Sequence, residues 1–209
     1  MLYYSLIDIS AVKASDTEMM LKKIKHHFSD RINLKRIESV LSKALLCFIL
    51  EEHYGLSDFF IDCDEKGKPF FVDGKLFFNL SHSGKYVMCV CGDENVGCDI
   101  QQVKPYNEKV AKRFFTPEEN ELLEKSNDKA RVFTSLWTLK ESALKLSGEG
   151  ISGGLDRYDF SKYYNKEIFS MSGMSFYRTE SEDYIFAICS SDAAVPTYID
   201  ITDIKINYS

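Results

Sequence analysis

The chain has no excess of basic residues. Its 26 Lys and Arg stand against 32 Asp and Glu, for a formal charge of -6. A nucleic-acid partner is disfavoured, because phosphate backbones are held by clustered Lys and Arg and an acidic balance repels them. Any anionic ligand must be held by a local group of cations. No run approaches the ~18 uninterrupted apolar residues that a membrane span needs. The opening MLYYSLIDIS has no basic n-region and carries Asp8 within its short apolar run, so no secretion signal is read there. The six cysteines include no CxxC pair, and most sit inside hydrophobic runs, where a thiol packs as a small apolar group. Zinc-ligand spacing, a Gly-rich phosphate loop and a nucleophile elbow are also missing. What remains is a cytoplasmic globular protein with free core thiols, and 44% hydrophobic content over 209 residues suffices for one substantial core or two small ones.

From Asp16 to Gly55 the pattern is helical. Ile37, Val40, Leu41, Ala44, Leu45 and Phe48 recur at three- and four-residue spacing and Gly55 stands at a C-cap position, which predicts one long amphipathic helix. In GKPFFVDGKLFFNLSHS, Asp73-Gly74 between two aromatic-rich runs predicts a hairpin with a type I′ turn. A second hairpin is expected from Tyr86 to Cys91 and Val96 to Gln101 around GDEN. In RFFTPEENELL, Thr116 can cap a helix, Pro117 suits its first position and Glu119 completes a capping box. Arg131 to Ser147 predicts another strong helix, while EIFSMSGMSFYRT, DYIFAICSS and TYIDITDIKI read as strands. Each half is helix followed by strands, with the change near Pro105. This predicts two α+β lobes, residues 1–103 and 104–209, with a ligand in the cleft between them.

In VGCDIQQV, Asp99 and Gln101 share one face of a strand while Cys98 and Ile100 take the other. An ionised Asp in an apolar strand is costly without a cation or donors. Either this is the solvent side of an edge strand, or the pair serves a hard cation such as Mg²⁺. In RVFTSLWTLKESALKLS, Val132, Leu136, Leu139, Ala143 and Leu146 form one apolar stripe opposite Glu141, and Phe133, Trp137 and Leu144 form a second beside it. A helix apolar on two flanks is wedged between layers, which turns Glu141 and Lys145 toward a cleft and argues against a merely exposed ion pair. Ser81, His82 and Ser83, at a strand end, suit either an anion or a structural role. Lys68 in GKP is equally compatible with an ordinary turn.

Taken together, GKP, FNLSHSG, VGCDIQ, RFFTPEE and LWTLKESALKLSGEGI, collinear and at these separations, resemble the Sfp-type 4′-phosphopantetheinyl transferases over Gly67 to Ile151. The resemblance implies two pseudo-symmetric α+β lobes with the active site at their interface, coenzyme A as substrate and Mg²⁺ as cofactor. It implies transfer of the phosphopantetheine arm to a serine of an apo acyl or peptidyl carrier protein in fatty acid or secondary-metabolite assembly; a monomer is expected. By position it implies Asp99, Gln101 and Glu141 as Mg²⁺ ligands, and Glu141 and Lys145 as catalytic residues. Arg36, Lys68, Ser81, His82, Lys140 and Lys145 are implied to hold coenzyme A, with Arg31 and Lys35 as alternatives to Arg36 at its 3′-phosphate. Many members have an acidic residue where this chain has Gln101. An amide oxygen in its place implies weaker Mg²⁺ affinity, or a site completed by water and pyrophosphate oxygens. The rival reading is a non-catalytic coenzyme A or carrier-protein binding relative, against which the joint retention of His82, Asp99, Glu141 and Lys145 argues.

Overall fold

A computed structural model describes residues 1–148, 150 and 154–200. In chain order it contains β1 (Leu2–Asp8), α1 (Ala14–Ile24), α2 (Ile37–Tyr54), β2 (Ile61–Cys63), β3 (Pro69–Phe71), β4 (Phe77–Ser83), β5 (Tyr86–Gly92) and β6 (Val96–Gln102). There follow α3 (Glu108–Phe114), α4 (Pro117–Lys125), α5 (Lys129–Ser147), β7 (Ile168–Met171), β8 (Met174–Glu180), β9 (Tyr184–Ser190) and β10 (Thr197–Tyr198). These form two compact units: Met1–Asp93 with residues 196–200, and Glu94–Val195. The class is α+β, as expected.

The sheet of the first unit has the order β10-β1-β5-β4, with β1 and β4 both antiparallel to β5. Helix α2 packs on it because α2 is apolar almost all round. Leu41, Leu46, Ile49 and Leu50 are fully buried in one cluster with Phe78, Val87, Cys89 and Cys91. Burying an aliphatic side chain of this size contributes about 1.5–3 kcal/mol. The helix stops at Gly55, whose φ of 63° lets its amide turn back to the Leu50 carbonyl.

The single helix expected from Asp16 is in fact two. α1 ends in a 3₁₀ turn at Lys25–His27. Phe28 then bridges to Ile61 and Asn33 closes a side-chain turn on the Lys35 amide at 2.9 Å. Phe28, Ile32 and Leu34 pack on the same core from irregular chain, so their spacing imitates helical periodicity.

Both expected hairpins are also corrected. Gly74 does turn, with φ 66° and its amide on the Phe71 carbonyl at 3.1 Å, but β3 pairs with β2 and β4 pairs with β5. The pairing turn is the preceding DEKG, where the Asp64 carboxylate accepts from the Lys66 and Lys68 amides at 2.9 and 2.8 Å. Strand β6 pairs with β9, Val96 opposite Ser190 through Gln102 opposite Tyr184, and not with β5. The division therefore falls at Asp93–Glu94, ahead of the expected residue 103, because β6 belongs to the second sheet.

That second sheet is antiparallel throughout, in the order β6-β9-β8-β7. α5 joins its core through Leu136, Leu139 and Ala143, which cluster with Phe160, Phe176, Ala187 and Cys189. Thr116 and Glu119 form the anticipated capping box at the start of α4. Among the described residues no cysteine is disulfide-bonded. β10 is the described part of TYIDITDIKI, and residues 201–206 lie outside the described residues. Among the described residues no helix is long and apolar enough to cross a membrane.

Candidate active site

The second unit brings together four of the expected residues. Asp99 and Gln101 do lie on one face of β6, where the Gln101 amide donates to Asp99 Oδ2 at 2.9 Å. From α5, Lys145 Nζ donates to Asp99 Oδ1 at 2.7 Å. Asp99 is only 2% exposed. Its closeness to α5 originates two residues earlier on the same strand face. Gly97 has no side chain, and a Cβ there would fall within 3.0 Å of the Ser142 carbonyl oxygen and the Leu146 amide nitrogen. Helix and strand thus meet almost backbone to backbone, which lets Lys145 reach Asp99.

Glu141 lies one turn before Lys145, and its Oε1 is buried with no hydrogen-bond partner. Burial holds its carboxyl above the usual range, the charge of Asp99 adds to that rise, and Lys145 opposes it. Lys145 is itself held above its usual value. Burial works against its charge, but Asp99, with smaller contributions from Cys98 and Glu141, more than offsets this. Two carboxylates in low dielectric, one with an orphaned oxygen, are costly as they stand and suit an added cation. Asp99, Glu141 and the Gln101 amide oxygen are hard oxygen donors, so this donor set fits Mg²⁺. Among the described residues no three His, Cys, Asp or Glu side chains gather as a metal site.

The first unit holds a pocket of about 300 Å³ lined by Asn33, Arg36, Glu38, Ser39, Ser42, Lys43, Pro69, Leu80, Ser81 and His82. Arg36, Ser81 and His82 are three of the six residues implied to hold coenzyme A. Ser81, His82 and Ser83 are the last residues of β4, as their place at a strand end implied, and the turn follows at Gly84 (φ 55°). Lys68 does not line the pocket, although the adjacent Pro69 does. Burial lowers the Lys68 pKa, opposed by Asp64. Arg31 is drawn off by Asp62, to which its Nε and Nη2 donate at 3.0 and 2.5 Å, and Lys35 is absent from the lining. Lys43 was missed. The available signal was a Lys inside VLSKALLC, a largely apolar stretch of helix.

Lys140 requires a correction. Expected to touch coenzyme A, it is fully buried and paired with Glu119 at 2.8 Å. It also donates to the Leu155 and Tyr158 carbonyls, both at 2.7 Å, so its three hydrogens are satisfied inside the unit. Glu119 accepts from the Thr116 and Phe160 amides at 2.9 Å each. The TPEE and KES segments therefore meet in one buried structural pair.

The family model described as the 4′-phosphopantetheinyl transferase superfamily matches residues 95–189. That segment carries Asp99, Gln101, Glu141 and Lys145. The chain is 37% identical over 125 residues to the 4′-phosphopantetheinyl transferase Sfp of Bacillus subtilis (strain 168), covering 57% of this chain and 56% of the relative.

The chain belongs to the 4′-phosphopantetheinyl transferase superfamily.

Another member named 4′-phosphopantetheinyl transferase, from Bacillus subtilis, is 34% identical over 150 residues, covering 68% of this chain and 66% of its own. The 4′-phosphopantetheinyl transferase HetI of Nostoc sp. is 39% identical over 100 residues, covering 44% and 42%. The chain thus spans between about two fifths and two thirds of the length of these superfamily relatives.

Proposed function

We propose that the protein is a cytoplasmic, monomeric 4′-phosphopantetheinyl transferase that moves the phosphopantetheine arm of coenzyme A to a serine of an apo acyl or peptidyl carrier protein. The observation that carries this reading is the Asp99–Lys145–Glu141 cluster, with its partnerless Glu141 oxygen, inside the segment matched by the superfamily model. Asp99, Glu141 and the Gln101 amide oxygen would hold Mg²⁺, which when bound offsets negative charge on the pyrophosphate.

The remaining work falls to the chain's own side chains. The serine oxygen attacks the β-phosphorus of coenzyme A while the bond to the bridging oxygen breaks, releasing 3′,5′-adenosine bisphosphate. Glu141 takes the serine proton. Lys145 keeps a fixed positive charge beside Asp99 at the reacting pyrophosphate. Arg36, Ser81 and His82 line the pocket that takes an anionic end of the donor.

The test is incubation with coenzyme A, Mg²⁺ and a panel of apo carrier proteins, read by intact mass. A gain of about 340 Da on one serine, with 3′,5′-adenosine bisphosphate released, is expected. No gain on any carrier would overturn the reading.

A further inference from the structure

Lys43 projects from α2 into the lining of the first unit's pocket and is only 8% exposed. Its ammonium donates to the Ser39 carbonyl at 3.2 Å and the Ser39 hydroxyl at 2.8 Å, both neutral acceptors. Among the described residues it has no carboxylate at ion-pair distance. The other charged or titratable groups of the lining are Arg36, Glu38 and His82, and Glu38 is occupied by Arg36 at 3.5 Å. Asn33, Ser39, Ser42 and Ser81 add only neutral hydrogen-bonding groups. A buried ammonium without a counterion is unusual, since desolvating a charge costs several kcal/mol unless an opposite charge meets it. Here burial alone pushes the Lys43 pKa down to about 8. A cation buried on the wall of an accessible pocket, with the pocket's single carboxylate engaged elsewhere, is built to receive an anion from outside.

We propose that Lys43 is a phosphate-binding residue of the donor pocket, its ammonium pairing with the entering anion. The identity of that anion as a phosphate of coenzyme A rests on the function proposed above. Where the amine is neutral, the incoming charge restores the ammonium: a neutral amine, a proton from solvent and the phosphate give an ion pair, and no other bond changes. Above pH 8 the uncharged amine must first be protonated, so binding weakens as pH rises.

The experiment is calorimetric titration of the full chain with coenzyme A from pH 7 to pH 9, in two buffers of different ionisation enthalpy. From a free-state pKa of about 8, affinity should fall about tenfold between pH 7 and 9, with close to one proton taken up at pH 9. Lys43→Arg keeps its charge throughout, so its affinity should be flat with pH and its proton uptake absent. Lys43→Met, checked for folding by its thermal transition, should bind at least tenfold more weakly at pH 7. Affinity as flat in the wild type as in K43R, or wild-type binding by folded K43M, would overturn the proposal. If the wild type ignores coenzyme A but binds inorganic pyrophosphate with Lys43-dependent proton uptake, the donor reading fails and the role of Lys43 stands. If it binds neither, both fail.

Discussion

Replacing Gly97 with Ala should damage the candidate site without touching any of its functional groups. The added Cβ would sit within 3.0 Å of two backbone atoms of α5 and at 3.0 Å from Leu146 Cα. Backbone cannot swing aside as a side chain does, and nonbonded carbons settle near ~3.5–4.0 Å, so α5 and β6 must separate by roughly 1 Å. Overpacking of this kind costs about 1–3 kcal/mol, and at this chain length each kcal/mol lowers Tm by about 2–4 °C, which gives a fall of roughly 2–12 °C. The same displacement would carry Lys145 from its 2.7 Å contact with Asp99 out of hydrogen-bond range. Misplacement by 1 Å at a reacting centre is worth about 10²-fold in rate. Thermal denaturation and phosphopantetheine transfer, measured on the same G97A sample, check both effects. A variant with wild-type Tm and wild-type turnover would refute the argument that this close approach builds the site.

Glu141→Gln should abolish transfer while leaving the fold intact. Because burial raises the native Glu141 pKa, wild-type stability is lost as pH rises through that value, so E141Q should gain on the wild type above the ordinary glutamate range in pH-dependent urea melts. Asp99→Asn should lose Mg²⁺-dependent turnover and also about 1–3 kcal/mol by urea denaturation, since Lys145 loses its carboxylate while remaining 28% exposed. Lys140→Met should cost about 3–5 kcal/mol, roughly 10 °C in Tm, by stranding Glu119 at 0% exposure. Adding Glu119→Gln should recover part of that loss, and coenzyme A affinity of the folded protein should be unchanged by calorimetry.

The α5 stripe was legible because Leu136, Leu139 and Ala143 obey one period over a long, well-capped helix. The capping box at Thr116 and Glu119 was legible for the same local reason. Strand pairing was not. The DG at residues 73–74 and the GDEN segment both have turn chemistry, but which strands pair is decided by distant partners, and β6 meets β9 from more than eighty residues away. Asp99 and Gln101 could be placed on one face from a period of two, whereas the Asp99–Lys145 contact required the helix–strand approach at Gly97. Lys140 looked available because its motif is shared with functional neighbours, and only packing reveals its burial against Glu119. Lys43 was passed over because a Lys within an apolar helix reads as a snorkelling side chain rather than as the wall of a pocket.

The account turns on Asp99 and Glu141 serving one divalent cation, and titrating Mg²⁺ into the protein saturated with coenzyme A tests this most directly. One equivalent should bind to the wild type, and neither D99N nor E141Q should bind it although both remain folded. Undiminished binding of one Mg²⁺ by either variant would contradict a shared site.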